Sequence, residues 1–92
     1  MDWNTFAWLN RGKRRKNILQ ILHNANRPLT INEIKIISKI SISQVSVIIS
    51  EFTEKKLISC KNPLDKIGKL FEITEEGRIQ HLQLERGFSD DP

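Results

Sequence analysis

The sequence predicts a mainly helical α+β fold: three core helices closed by a β-hairpin, with an N-terminal arm and a C-terminal helix. Three observations carry this. Apolar residues recur at offsets of three, four and seven along the first two thirds of the chain, which is the spacing of one helical face. Only about two or three residues link the second and third core helices, a length that fits two helices crossing steeply around a tight turn. Beyond Leu57 the pattern changes to strand-like runs separated by turn formers.

Each element has its own local reason. Residues 2–9 carry Trp3, Phe6 and Trp8 with Leu9, and the offset of three between Trp3 and Phe6 allows a short amphipathic helix ending before Gly12. Residues 13–25 form the first core helix, with Ile18, Ile21, Leu22 and Ala25 on one face, and Asn26-Arg27-Pro28 stops it. Thr30-Ile31-Asn32-Glu33 is a capping box, in which hydroxyl and carboxylate satisfy the orphan N–H groups that start the second core helix, running to about Ser38. Ser41 is an N-cap for the third core helix, whose inward stripe is Val45, Ile48, Ile49 and Phe52.

Residues 57–61 and 69–74 read as two strands, and the segment between them, with Asn62, Pro63, Asp65 and Gly68, reads as their turn. Ile58, Cys60, Phe71 and Ile73 are expected to face the helices, leaving Ser59, Lys61 and Lys69 outward. Thr74 should cap a last helix through about Arg86, with Ile79 and Leu82 as its apolar contacts, and residues 87–92 should fray.

A chain of 92 residues with 38% hydrophobic content has room for one core and not two, so the expected organisation is an arm at 1–10, a central unit at 11–75 and a C-terminal helix and tail at 76–92. No run approaches the ~20 apolar residues of a membrane span, and the start, Met1-Asp2-Trp3-Asn4, is acidic and polar, which points to a cytoplasmic protein. One cysteine, Cys60, builds no internal disulfide and no zinc cluster, and reads as a packed small hydrophobe. His23 and His81 have no further ligand at metal spacing, no glycine-rich phosphate loop is present, and no serine sits in a nucleophile-elbow context. These absences argue against an enzyme, a metal or another cofactor.

Charge is the informative quantity. The net value of +4 conceals thirteen Lys/Arg against four Asp/Glu in residues 10–71, a surplus of +9, while residues 72–92 are net −4. Such asymmetry is the electrostatic footprint of a polyanion binder, with nucleic acid first among the candidates. Arg11, Lys13, Arg14, Arg15 and Lys16 are packed into six positions at a helix N-terminus, where each opposes the macrodipole at ~0.3 to 1 kcal/mol. Stability does not explain the cluster; phosphate neutralisation does, and a merely solvated charge run is the alternative. Lys55 and Lys56, by contrast, complement the dipole at a helix C-terminus and need no further role.

Taken in order, Arg27-Pro28-Leu29-Thr30-Ile31-Asn32-Glu33-Ile34, Ile40-Ser41-Ile42-Ser43-Gln44-Val45-Ser46 and Glu54-Lys55-Lys56-Leu57-Ile58 resemble the small winged helix-turn-helix transcriptional regulators. The segments Lys61-Asn62-Pro63 and Gly68-Lys69-Leu70-Phe71-Glu72-Ile73-Thr74-Glu75-Glu76-Gly77 are similar to the wing of their archaeal branch, as is the opening Leu9-Asn10-Arg11-Gly12-Lys13-Arg14-Arg15. The resemblance implies a homodimer that binds double-stranded DNA, with the third core helix in the major groove and the wing on the flanking backbone.

By position, it implies base contacts from Ile42, Ser43, Gln44, Ser46, Val47 and Ser50. Gln44 can pair with the N6/N7 edge of adenine, and Ile42 or Val47 can meet a thymine methyl, so an A/T-rich site is chemically consistent. A solvated polar face is the alternative for Ser43, Gln44 and Ser46. The chain departs from the family's usual pattern in carrying no basic residue from Ile42 through Glu54 and in placing Lys39 at the turn, where Gly is common. Phosphate contacts are expected from the five-residue cluster above, from Arg27 and Lys39 in loops, and from the wing lysines Lys61, Lys66 and Lys69. Trp3, Phe6 and Trp8 with Ile79, Leu82 and Leu84 are the expected dimer surface, unless the arm packs on its own core. Two competing functions remain open at this level: a protein-docking winged helix, motivated by the uncharged third helix, and a non-specific architectural DNA binder.

Overall fold

The computed structural model describes residues 3–86. Among them the order is α1 (Trp3–Arg11), α2 (Lys13–Ala25), β1 (Leu29–Thr30), α3 (Ile31–Ser38), α4 (Ile42–Glu54), β2 (Ile58–Cys60), β3 (Leu70–Ile73) and α5 (Glu75–Glu85). The helices, the hairpin and their order agree with the sequence reading; the expected fraying of residues 87–92 lies outside the described residues. No single helix among those residues is long and apolar enough to cross a membrane.

The core is one cluster. Leu9 of α1, Ile18, Leu19 and Leu22 of α2, Ile34 of α3, and Val45, Ile48, Ile49 and Phe52 of α4 close on Leu57, Ile58, Phe71 and Ile73. The expected stripes of α2 and α4 thus face inward because their spacing keeps them on one side of each helix. Burying the Phe52 side chain is worth about 1.5 to 3 kcal/mol of transfer free energy, and its ring also meets Trp8 edge-on with centroids 5.8 Å apart.

The capping box forms as the Thr/Glu spacing requires: Thr30 Oγ1 accepts the Glu33 N–H at 3.1 Å, and the Thr30 N–H donates to Glu33 Oε1 at 2.9 Å. That backbone donation holds the Glu33 carboxyl below its ordinary range, with Arg27 assisting and desolvation opposing. Replacing Thr30 with Ala should cost about 1 kcal/mol of stability, read as a lower denaturation midpoint with an unchanged slope.

Between α3 and α4 the chain turns through 118°. Lys39 makes that turn in the left-handed conformation at φ 61°, its N–H donating to the Lys35 carbonyl, and Ser41 then caps α4 by accepting the Gln44 N–H at 3.3 Å. A lysine therefore does here what a glycine does without a Cβ penalty.

Two features differ from the sequence expectation. A third strand, β1, pairs antiparallel with β3 (Leu29 opposite Phe71), giving the sheet order β1-β3-β2 and anchoring the wing to the start of α3. Its two residues are too few to show any alternation.

The second correction concerns α5. Ile79 and Leu82 are not its inward contacts; both are exposed, and Gly77, Gln80 and His81 face the core instead. Gly77 fixes this rotation, since a Cβ there would lie 2.2 Å from the Leu57 carbonyl oxygen. No larger residue lets α5 seat so close to the end of α4. Thr74 caps the helix as expected, accepting the Gly77 N–H while its own hydroxyl donates to the Lys56 carbonyl at 2.8 Å.

Candidate nucleic-acid interface

The outer face of α4 carries the six residues expected to touch bases. Ile42, Ser43, Gln44, Val47 and Ser50 are exposed and Ser46 is half-buried, so the structure presents them together along the front of one helix. Ser41 Oγ and Ser43 Oγ approach to 3.4 Å, tying the first of these hydroxyls to the cap. Ile42 and Val47 are 52% and 58% exposed, which makes this face partly aliphatic.

Beside it runs a groove of about 760 Å³ between α4 and the α1–α2 junction. Ser43, Gln44, Val47, Ile48 and Glu51 form one wall, and Arg11, Gly12, Lys13, Arg14 and Arg15 form the other. The side on which the basic cluster lies was not legible in the sequence; in the fold it flanks the polar face of α4. Four cations against the single carboxylate of Glu51 leave the groove strongly positive, and the unpaired N–H groups at the start of α2 add to that field. Glu51 was not among the residues expected there, and its i+4 relation to Val47 was the available signal.

The cluster is not uniform. Lys13 and Arg14 are exposed, as is Arg11, while Lys16 is half-buried and lines a separate small cavity with Gln20, His81, Leu84 and Glu85. Arg15 is committed to the fold: its guanidinium donates to the Trp8 carbonyl at 2.8 Å and lies 4.2 Å from the Trp8 ring centroid. Lys55 approaches the same ring, its Nζ 4.9 Å from the centroid. Its role thus extends past the dipole account to cation–π packing of the arm.

Among the other expected phosphate contacts, Arg27 pairs with Glu33 at 3.2 Å and Lys61 with Glu72 at 3.4 Å, both between solvent-accessible side chains, where such pairs contribute little to stability. Lys39, Lys66 and Lys69 are exposed. The wing that bears the last two is built around Asn62. Its Nδ2 donates to Asp65 Oδ2 and the Gly68 carbonyl, and its Oδ1 accepts the Leu70 N–H and the Cys60 thiol. Cys60 packs half-buried against the core, and Gly68 supplies the left-handed turn at φ 71°. Asn62 read only as a turn former in the sequence; its position as the hub of the loop was missed.

The expected dimer surface is divided by the fold. Phe6 is buried, Trp8 is held half-buried between Phe52, Arg15 and Lys55, and Leu84 packs against the core, so these three serve the protein's own interior. The reason is that α1 seats Phe6 and Leu9 together toward the core. Trp3, Ile79 and Leu82 are exposed.

On the far side, the rings of His23 and His81 stack with centroids 4.1 Å apart at 15°. Burial, then the neighbouring His23, lowers the His81 pKa, and Glu85 partly opposes this. Because the folded value lies below the ordinary 6.5, the contribution is fully present above that pH and is lost as pH falls through the folded value. Thermal midpoints of wild type and His81→Phe should therefore diverge between about pH 7.5 and about pH 5, the wild type losing more on acidification.

Three helices with a steep α3–α4 turn, followed by an antiparallel wing that β1 pins to the core, define a winged helix-turn-helix. Solved structures agree on that fold. The chain matches "RV1404" from Mycobacterium tuberculosis with TM-score 0.74 and 17% identity over 90% of its residues and 58% of the other's. It matches a mutant of MarR from E. coli complexed with operator DNA with TM-score 0.73 and 20% identity, covering 88% of this chain and 58% of that one. The S. aureus MepR–DNA complex gives TM-score 0.73 and 20% identity, with 94% and 75% covered. The chain thus spans about three fifths of the length of the first two. No protein-family model and no curated protein matches the sequence.

Proposed function

We propose that this chain is a DNA-binding transcriptional regulator that acts as a homodimer in the cytoplasm, with α4 in the major groove and no enzymatic activity. The observation that carries the reading is the groove in which Arg11, Lys13 and Arg14 stand beside Ser43, Gln44 and Val47. A base-reading face needs phosphate anchors on its flank, because phosphate contacts fix register while base edges supply sequence information. Two of the structures of like fold hold DNA, MarR with its operator and MepR, which favours the same use of this fold. The wing motif and the opening around Arg11 favour the archaeal branch of these regulators.

Within this reading Ile42, Ser43, Gln44, Ser46, Val47 and Ser50 contact bases, and Arg11, Lys13, Arg14, Arg27, Lys39, Lys61, Lys66 and Lys69 contact phosphates, whereas Lys16 lines the separate cavity beside His81 and is not among them. Residues 11–75 carry the DNA-binding unit. One module of this size makes few base contacts, and a two-fold pair with half-sites about 34 Å apart supplies the rest. Trp3, Ile79 and Leu82 offer the apolar surface for pairing. The test is selection of bound duplexes from a random pool at two salt concentrations, with sedimentation of the free protein. A palindromic A/T-rich motif and a dimer are expected; binding without a motif would favour the architectural reading, and a monomer at tens of micromolar would remove the dimer.

A protein-docking role is the second reading, favoured by the exposed aliphatics Ile36, Ile37, Ile42 and Val47 on α3 and α4. An apolar protein contact would depend only weakly on salt, whereas DNA binding falls steeply with it.

A further inference from the structure

The tip of the wing is aliphatic. Leu64 is 95% exposed and Ile67 is 90% exposed, the largest exposures among the described hydrophobic side chains, and they flank Asp65 and Lys66 in one loop. Phosphate contact gives no reason for them: two branched aliphatics held in water do nothing for a loop that only grips backbone oxygens. Neither packs on the core, so neither supports the fold.

The loop that holds them is nevertheless well built. Asn62 spends both amide hydrogens and its oxygen within it, the Asp65 N–H returns to the Asn62 carbonyl at 3.1 Å, and Pro63 restricts the entry to the tip. The Asp65 carboxylate is engaged by Asn62 at 2.9 Å and Lys61 is paired with Glu72 at 3.4 Å, so the charges left on the loop to face a partner are those of Lys66 and Lys69. A hydrogen-bonded loop that holds two exposed aliphatics, with the exposed Lys66 and Lys69 close to them in sequence, matches the chemistry of proteins that wedge Leu or Ile between base steps from the minor groove.

We infer that Leu64 and Ile67 form a wedge that enters the DNA minor groove and partly unstacks a base step, with Lys66 and Lys69 holding the adjoining phosphates. This rests on the DNA-binding reading above. It also addresses the lack of cations on α4: the energy of opening a step depends on its sequence, lowest at flexible pyrimidine–purine steps, so the wing adds discrimination that the helix does not supply through arginine. The wedge is thus a specificity element and not a second anchor.

The experiment uses the full chain and a mixed-sequence duplex in which 2-aminopurine replaces adenine at its TA and CA steps, with a donor–acceptor pair at the ends to report bending. Wild type should raise the 2-aminopurine emission and shorten the end-to-end distance. The pair Leu64→Ala and Ile67→Ala should abolish both signals and weaken binding roughly tenfold, with the salt slope unchanged because no charge is lost. Lys66→Ala should reduce that slope by about one and keep the unstacking signal. Far-ultraviolet circular dichroism establishes that the variants fold, which their exposure predicts.

Wild-type binding without unstacking, or an aliphatic pair of variants that binds and unstacks as wild type does, overturns the wedge and leaves the DNA reading intact. Variants that bind DNA normally but change the sedimentation of the protein overturn it in favour of a protein contact at the tip. Failure of the wild type to bind any duplex at low salt overturns both.

Discussion

Replacing Arg11, Lys13 and Arg14 together with Ala should lower the affinity for duplex DNA by roughly two orders of magnitude at about 0.1 M salt, and should flatten the dependence of log K on log salt by about 2.7. The three side chains are exposed on the wall of the groove facing α4, and each phosphate they neutralise releases condensed counterions. Loss of folding would not account for such a result. Lys13 and Arg14 oppose the dipole of α2 by ~0.3 to 1 kcal/mol each, whereas Arg11, in the last turn of α1 and not at a helix N-terminus, complements that helix by a like amount. Removing all three should therefore leave the melting temperature about equal or slightly higher. Arg15 is kept in this variant because it holds Trp8, and Arg15→Ala should destabilise the chain instead. A titration of labelled duplex at several salt concentrations gives both numbers. An unchanged slope would mean that the cluster is only solvated.

The largest stability effect should come from Gly77→Ala. Propensity alone favours it, since Ala gains about 1 kcal/mol over Gly within a helix. Packing opposes it more strongly. The new Cβ would lie 2.2 Å from the Leu57 carbonyl oxygen and 2.6 Å from Ile73 Cγ1, and the Leu57 oxygen is already fixed by the Thr74 N–H at 2.9 Å. To escape the clash α5 must lift away, which loosens the Thr74 cap and the seat of Gln80 and His81. A net loss of about 2 to 4 kcal/mol is expected, a large part of the total for a domain this small, and it should lower the melting midpoint by roughly 10 to 25 °C. A variant that melts with the wild type would show that α5 does not sit where the contact with Leu57 puts it.

The features legible in the sequence were those decided within a few residues. The Thr30 to Glu33 box, the Ser41 and Thr74 caps and the inward stripe of α4 each depend on spacing inside one or two turns, and each appears in the fold. The features that were not legible are decided at a distance. β1 exists only because Phe71, far along the chain, comes to lie opposite Leu29. The rotation of α5 comes from a close approach of Gly77 to Leu57, which overrides the pattern of Ile79 and Leu82 and turns two polar side chains inward. Within the candidate site, residue types pointed to the exposed face of α4, but the side taken by Arg11 to Arg14 required knowing how α1 and α2 pack. The withdrawal of Arg15 and Lys55 onto Trp8 needed the same knowledge.

The seat of Trp8 gives the molecule a label-free optical gauge. Its indole lies between two cations and beside Phe52, while Trp3, the other tryptophan, is exposed. In a Trp3→Phe background, emission therefore reports on one ring at the edge of the basic groove. A polyanion arriving at Arg11 and Arg14 also pulls on Arg15, and any displacement of that guanidinium alters the field across the indole and shifts the emission band. Occupancy of the groove could thus be followed in real time on the unmodified duplex, with no dye attached to either partner.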